Sequence, residues 1–172
     1  DAVLAITSQL PKLHWLGLDR MPLAPLAALP ADFAPAVGGL RTLCLSGTGM
    51  AWEQLLFLAG AMPLLEEVHF SGNGVATLAT AAGPAASAAL PNVHSLYLER
   101  NALCSWADVA PLGALPALRL LNLNFNQLTA VPAYAGGFAT LGHLMLRANP
   151  IDGWSTIDAL DGFPCLTEAR LA

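Results

Sequence analysis

Residues 93–103 read VHSLYLERNAL, with apolar side chains at Val93, Leu96 and Leu98, an asparagine at Asn101 and a further apolar residue at Leu103. The same spacing recurs at 65–75 (LEEVHFSGNGV), 118–128 (LRLLNLNFNQL) and 141–151 (LGHLMLRANPI). Apolar residues alternating with variable ones describe a short strand buried on one side. An asparagine three residues past the last apolar position can turn its amide into the bend and satisfy backbone groups there. The next apolar residue then re-enters the core.

The apolar triplet appears in three more places: Leu13, Leu16, Leu18; Leu40, Leu43, Leu45; and Leu166, Ala169, Leu171. Successive triplets start 27, 25, 28, 25, 23 and 25 residues apart, the period of leucine-rich repeats. Thr48 and Met21 stand where the other turns have asparagine, so those turns need a different closure. Five triplets are preceded by an apolar residue and proline (Leu10-Pro11, Met62-Pro63, Leu90-Pro91, Leu115-Pro116, Phe163-Pro164), and proline stops a helix from running on. Between turn and proline, apolar residues at spacings of three and four predict helices over Trp52 to Ala61, Trp106 to Leu115 and Trp154 to Phe163. One such unit cannot bury its strand and helix alone, but stacked units share a core. The expected fold is α/β: a right-handed leucine-rich-repeat solenoid, curved, with parallel strands on the concave face and helices or irregular turns on the convex one. Residues 1–172 are expected to form a single such domain of about six to seven repeats.

Two stretches loosen the pattern, the Pro/Ala run from Ala24 to Gly39 and the Ala/Gly/Ser run from Ala76 to Ala89. Val3 to Leu10 reads as the tail of an earlier helix. With no initiator methionine at Asp1 and no polar cap at either end, the chain is expected to be a piece of a longer protein.

Composition narrows the functional classes. Hydrophobic residues make up 55% and charged ones 11%, against disorder, and the apolar run from Met21 to Ala31 is broken by prolines, against a membrane span. Cys44, Cys104 and Cys165 form neither a disulfide framework nor a metal knuckle, which fits a reducing, cytoplasmic compartment. His14, His69, His94 and His143 are scattered, with no metal-binding spacing. No nucleophile elbow or phosphate loop is present, so no catalytic residue, cofactor site or metal site is assigned. A net charge of −5 with seven basic residues argues against nucleic acid.

Alternation assigns a surface: residues between the buried positions face outward on the strand side. The middle ladder runs Gly17, Cys44, His69, Tyr97, Asn122, Met145, Arg170, and the ladder after it includes Arg147. Trp15, Tyr97, Leu120 and Met145 are large groups expected to be exposed there, the usual chemistry of a binding surface, although partly covered apolar residues occur on any protein. Six of the seven basic residues fall in or beside the strand segments against five acids, leaving that side about +1 and the remainder about −6. An acidic partner therefore approaches the strand side more easily. The candidate partner-binding residues are Trp15, His69, Tyr97, Asn122, Met145, Arg147 and Arg170. Trp52, Trp106 and Trp154 recur near the helix starts and are expected to pack. Cys104 and Cys165 sit beside core positions and are expected to be inert, whereas Cys44 on the ladder is expected to be reachable.

Three stretches carry a family resemblance: 40–69 (LRTLCLSGTGMAWEQLLFLAGAMPLLEEVH), 93–129 (VHSLYLERNALCSWADVAPLGALPALRLLNLNFNQLT) and 144–172 (LMLRANPIDGWSTIDALDGFPCLTEARLA). The threonine turn in SGTGMAW, the tryptophan after alternate turns and the closing RANPI resemble the leucine-rich-repeat region of the tubulin-folding cofactor E family. The resemblance implies a cytosolic chaperone that handles α-tubulin together with other tubulin-folding cofactors, flanked by a CAP-Gly and a ubiquitin-like domain. The CAP-Gly glycine motif is absent from these residues, so tubulin-tail recognition is assigned to none of them. The Ala-rich inserts depart from a regular family pattern. The other reading the residues allow is a generic cytosolic leucine-rich-repeat adaptor or scaffold, of phosphatase-regulatory or axonemal type, with an unrelated partner.

Overall fold

The computed structural model describes residues 12–23, 28–80, 85–133 and 136–171. Seven three-residue strands form one sheet in chain order: β1 (Trp15–Gly17), β2 (Thr42–Cys44), β3 (Glu67–His69), β4 (Ser95–Tyr97), β5 (Leu120–Asn122), β6 (His143–Met145) and β7 (Glu168–Arg170). Every neighbouring pair is parallel. The register sets Leu16, Leu43, Val68, Leu96, Leu121, Leu144 and Ala169 side by side, pointing inward. Flanking rows from Leu40 to Leu141 and from Leu45 to Leu146 complete a continuous apolar wall, buried from β2 to β6. Leu96 and Leu98 are fully buried while Tyr97 between them is half-buried, the alternation that the triplets predict.

Pairing continues past the strands. Arg20, Gly47, Gly72, Arg100, Phe125 and Ala148 take the same place in successive turns, all with φ between 54° and 68°. That left-handed turn aims each N–H at the next repeat: Arg20 donates to the Ser46 carbonyl, Gly47 to Ser71, Gly72 to Glu99, Arg100 to Asn124 and Phe125 to Arg147. Glycine adopts this conformation freely; the others do so against steric resistance.

An asparagine ladder closes the turns. The Asn101 Nδ2 donates to the carbonyls of Phe70 and Leu98 at 3.0 Å, while its Oδ1 accepts from the N–H groups of Asn73 and Val75. Asn126 donates to Leu98 and Leu123 and accepts from Leu103 N–H; Asn149 donates to Leu123 and Leu146 and accepts from Leu128 N–H. Each amide thus ties its own turn to the preceding repeat. Asn101 and Asn126 are buried as expected, whereas Asn149 is only half-buried. At the threonine turn the Thr48 hydroxyl donates to the Leu45 carbonyl, and Asn73 of the next repeat accepts from Thr48 and Gly49 N–H.

The connecting segments are α1 (Phe33–Val37), α2 (Trp52–Ala59), α3 (Ala86–Ala89), α4 (Trp106–Val109) followed by a 3-10 helix at Ala110–Ala114, and α5 (Trp154–Leu160). The helix expected from Trp106 to Leu115 changes type because Pro111 offers no N–H to the α-helical ladder. The expected segment Val3 to Leu10 and parts of both Ala-rich runs lie outside the described residues. Trp52 is buried against Phe70, and Trp106 packs on Phe138 and Phe163. Trp154 departs from the expectation of packing: it is 85% exposed. Its two counterparts find aromatic partners in later repeats, and Phe163, the one aromatic after α5, is engaged by Trp106.

Candidate functional site

Strand register brings five of the candidate residues into one row. His69, Tyr97, Asn122, Met145 and Arg170 are consecutive partners across β3 to β7 on the open face of the sheet, with Arg147 two residues beyond Met145. His69 and Tyr97 stack, ring centroids 4.2 Å apart and 5° from parallel. The His69 Nε2 lies 2.7 Å from the Glu67 Oε1. The phenol of Tyr97 is held above its ordinary pKa by burial first, then by the Glu67 and Glu99 carboxylates. It therefore stays a neutral donor at physiological pH. Met145 is half-buried in the same row.

Asn122 is buried rather than exposed: its Nδ2 donates to Glu99 and its Oδ1 accepts from Asn124 N–H. It braces the face more than it offers contacts. Trp15 is 58% exposed on β1 but stands apart from the row, since its register partner is Thr42 and the row runs from His69 through Cys44 to Gly17. Its ring lies over Gly17, where a β-carbon would come within 2.4 Å of the Trp15 Cη2. That fold-over corrects the expectation for Cys44, which is buried and free, with its thiol pKa pushed up to about 11. Burial is the main cause, with Asp19 and Glu67 adding, while a hydrogen bond from Trp15 acts the other way. Conversely Cys104 and Cys165, expected to be inert beside core positions, are exposed.

The charges on this side are unevenly spent. Glu66 pairs with Arg41 and faces His94 at 3.8 Å; Glu168 pairs with Arg170 at 2.5 Å and faces His143 at 3.7 Å. Asp19 accepts from Ser46 N–H, so with Glu67 and Glu99 all five acids have partners. Among the described residues Arg20, Arg100, Arg119 and Arg147 have no ion pair. The Arg100 guanidinium instead lies 4.4 Å from the centroid of the Phe125 ring. Neither Arg100 nor Phe125 is among the candidates that alternation selects. The signal for them is positional, because Gly47 and Gly72 occupy the same turn site and mark it as left-handed.

An open hollow of about 510 Å³ between α5 and β7, lined by Ile157, Asp158, Asp161 and Thr167 among others, contains none of the candidate residues. Among the described residues no group of three or more His, Cys, Asp or Glu could hold a metal ion, and no helix is long and apolar enough to cross a membrane.

No family model matches the chain. It is 32% identical to tubulin-folding cofactor E of Arabidopsis thaliana over 98% of its own length and 33% of that protein's. It is 30% identical to the human tubulin-specific chaperone cofactor E-like protein, over 96% of the chain and 39% of the relative. Tubulin-specific chaperone E of Xenopus laevis is 26% identical, over 93% and 31%. The resemblance read from the repeats is borne out, and the chain spans about a third of the length of these relatives. A leucine-rich-repeat protein of Leptospira interrogans superposes with a TM-score of 0.58 at 22% identity, over 96% of this chain and 50% of that one. That likeness supports the leucine-rich-repeat solenoid fold alone.

Proposed function

We propose that this leucine-rich-repeat chain, similar over nearly its whole length to tubulin-folding cofactor E, is a protein-binding module without catalytic chemistry of its own. Its client on this reading is α-tubulin, held on the open face of the sheet in the cytoplasm, with other tubulin-folding cofactors as further partners. The observation that carries the reading is the row His69, Tyr97, Asn122, Met145 and Arg170, which sets aromatic, apolar and cationic side chains next to one another on a rigid sheet. Tyr97 and Met145 supply contact area; Arg147 and Arg170 lie at the edge, where charge acts more on association rate than on affinity. Trp15, on the far side of buried Cys44, contacts only a client long enough to cover β1 as well.

Support comes from two directions. The curated relatives named above are tubulin-folding proteins by name, and they match 93–98% of the chain. The acids of the strand side are occupied by internal partners while several arginines are not, which favours an acidic surface opposite. The test is a titration of purified tubulin against the chain, with an unrelated acidic protein as control. Saturable binding to tubulin alone supports the client assignment. Binding to neither protein, or to both alike, removes it and leaves the adaptor reading with an unrelated partner.

A further inference from the structure

Arg100 and Phe125 hold the same turn position on neighbouring repeats, both left-handed, at φ 54° and 57°. Phe125 is 43% exposed in a conformation that bulky side chains avoid, at a site where Gly47 and Gly72 do the same backbone work. The backbone bond from Phe125 N–H to the Arg147 carbonyl explains the left-handed φ but not the aromatic side chain. One face of the ring meets the Arg100 guanidinium, 4.4 Å from its centroid. A guanidinium over a ring keeps its edge N–H donors for another acceptor, and these match a carboxylate in geometry. Arg147 stands on the other side of Phe125, its backbone N–H fixed by the Asn124 Oδ1 at 2.7 Å and its side chain exposed. Neither arginine has an ion pair among the described residues, and the nearby Glu99 is engaged by Asn122.

We infer that Arg100, Phe125 and Arg147 form a rim site for an acidic, extended peptide segment, with carboxylates on the two arginines and an apolar side chain between them on Phe125. The two arginines belong to repeats two strands apart, about 10 Å at roughly 4.8 Å per strand. In an extended chain rising about 3.3 Å per residue, residues i, i+2 and i+4 share a face and span about 13 Å, so two glutamates flanking a leucine at every second position reach both arginines through their long side chains. The site shares Arg147 with the face proposed above and is otherwise separate from it. It needs no tubulin, so either reading can fail while the other stands.

The probe is the labelled peptide acetyl-Glu-Glu-Leu-Glu-Glu-amide, titrated against the chain by fluorescence anisotropy at low salt, with the all-glutamine counterpart as control. The parent should bind the acidic peptide at least about tenfold more tightly than its counterpart. Arg100→Ala and Arg147→Ala should each weaken binding about three- to tenfold, and Arg100→Lys should not restore it fully, because a point charge lacks the fork. Phe125→Gly should weaken binding by a similar factor while leaving the fold intact, since glycine serves at this turn in two other repeats. Absence of saturable binding, equal binding of the glutamine peptide, or unchanged binding by Phe125→Gly would overturn the assignment. So would a loss in Tyr97→Ala as large as in Phe125→Gly, which would move the peptide to the middle of the sheet.

Discussion

His69 of β3 and Tyr97 of β4 are register partners whose rings stack at 4.2 Å, and Glu67 holds the imidazole from the same strand. Neither ring is therefore free to choose its rotamer alone. His69→Ala and Tyr97→Ala should not act additively on stability. A double-mutant cycle from urea unfolding should return a coupling of about 0.5–1.5 kcal/mol, the range for aromatic pairs. Additivity within about 0.3 kcal/mol would mean that the stack is not populated in solution.

Asn126 is buried and its amide joins two repeats through the carbonyls of Leu98 and Leu123 and the N–H of Leu103. Asn126→Ala leaves these groups without partners and should cost about 1–3 kcal/mol. A loss below about 0.3 kcal/mol in urea unfolding would show that water closes the turn instead.

Gly74 has φ +72° and open space where a side chain would go. Gly74→Ala therefore isolates the backbone term and should destabilise by about 1 kcal/mol, whereas Gly74→Asn should cost less because asparagine tolerates the left-handed region. Equal effects of the two substitutions would place the cost elsewhere.

Cys104 and Cys165 are exposed, while Cys44 is buried with a pKa of about 11 against an ordinary 9.0. At pH 8 its thiolate is about one part in a thousand, so an aromatic disulfide reagent should titrate two thiols quickly and the third slowly. Trp15→Ala should speed the third. The same shift bears on alkaline stability: between pH 9 and about 11 the unfolded chain gives up this proton before the folded one. The contribution is complete below pH 9 and declines as pH rises towards 11. Three equal rates at pH 8 would contradict the placement of Trp15.

Repeat phasing made most of the fold legible, because Leu96, Leu98, Leu121 and Leu123 must share a face whatever else the chain does, and Asn101 and Asn126 can close a buried turn only with their amides inside. What failed depended on side chains crossing between repeats. Cys44 and Asn122 alternate outward yet are buried, one beneath a tryptophan that lies over Gly17 and the other drawn to Glu99. Trp154 has the spacing of Trp52 and Trp106 but, among the described residues, no aromatic partner. The arginine surplus was countable, but which arginines stay unpaired depends on reach: Arg170 folds back on Glu168 of its own strand, and Arg147 does not.

The most direct test of the binding face is the Kd of purified tubulin for the parent chain, the Tyr97→Ala, Arg147→Glu double variant, and Asp158→Lys at an exposed position of α5. The double variant should lose about the stability of the His69–Tyr97 stack, still unfold in one cooperative urea transition, and bind at least about tenfold more weakly, roughly 1.4 kcal/mol or more, while Asp158→Lys binds like the parent. Parent-like affinity in the folded double variant, with the loss appearing in Asp158→Lys, would place the client on the helix side and contradict the proposed face.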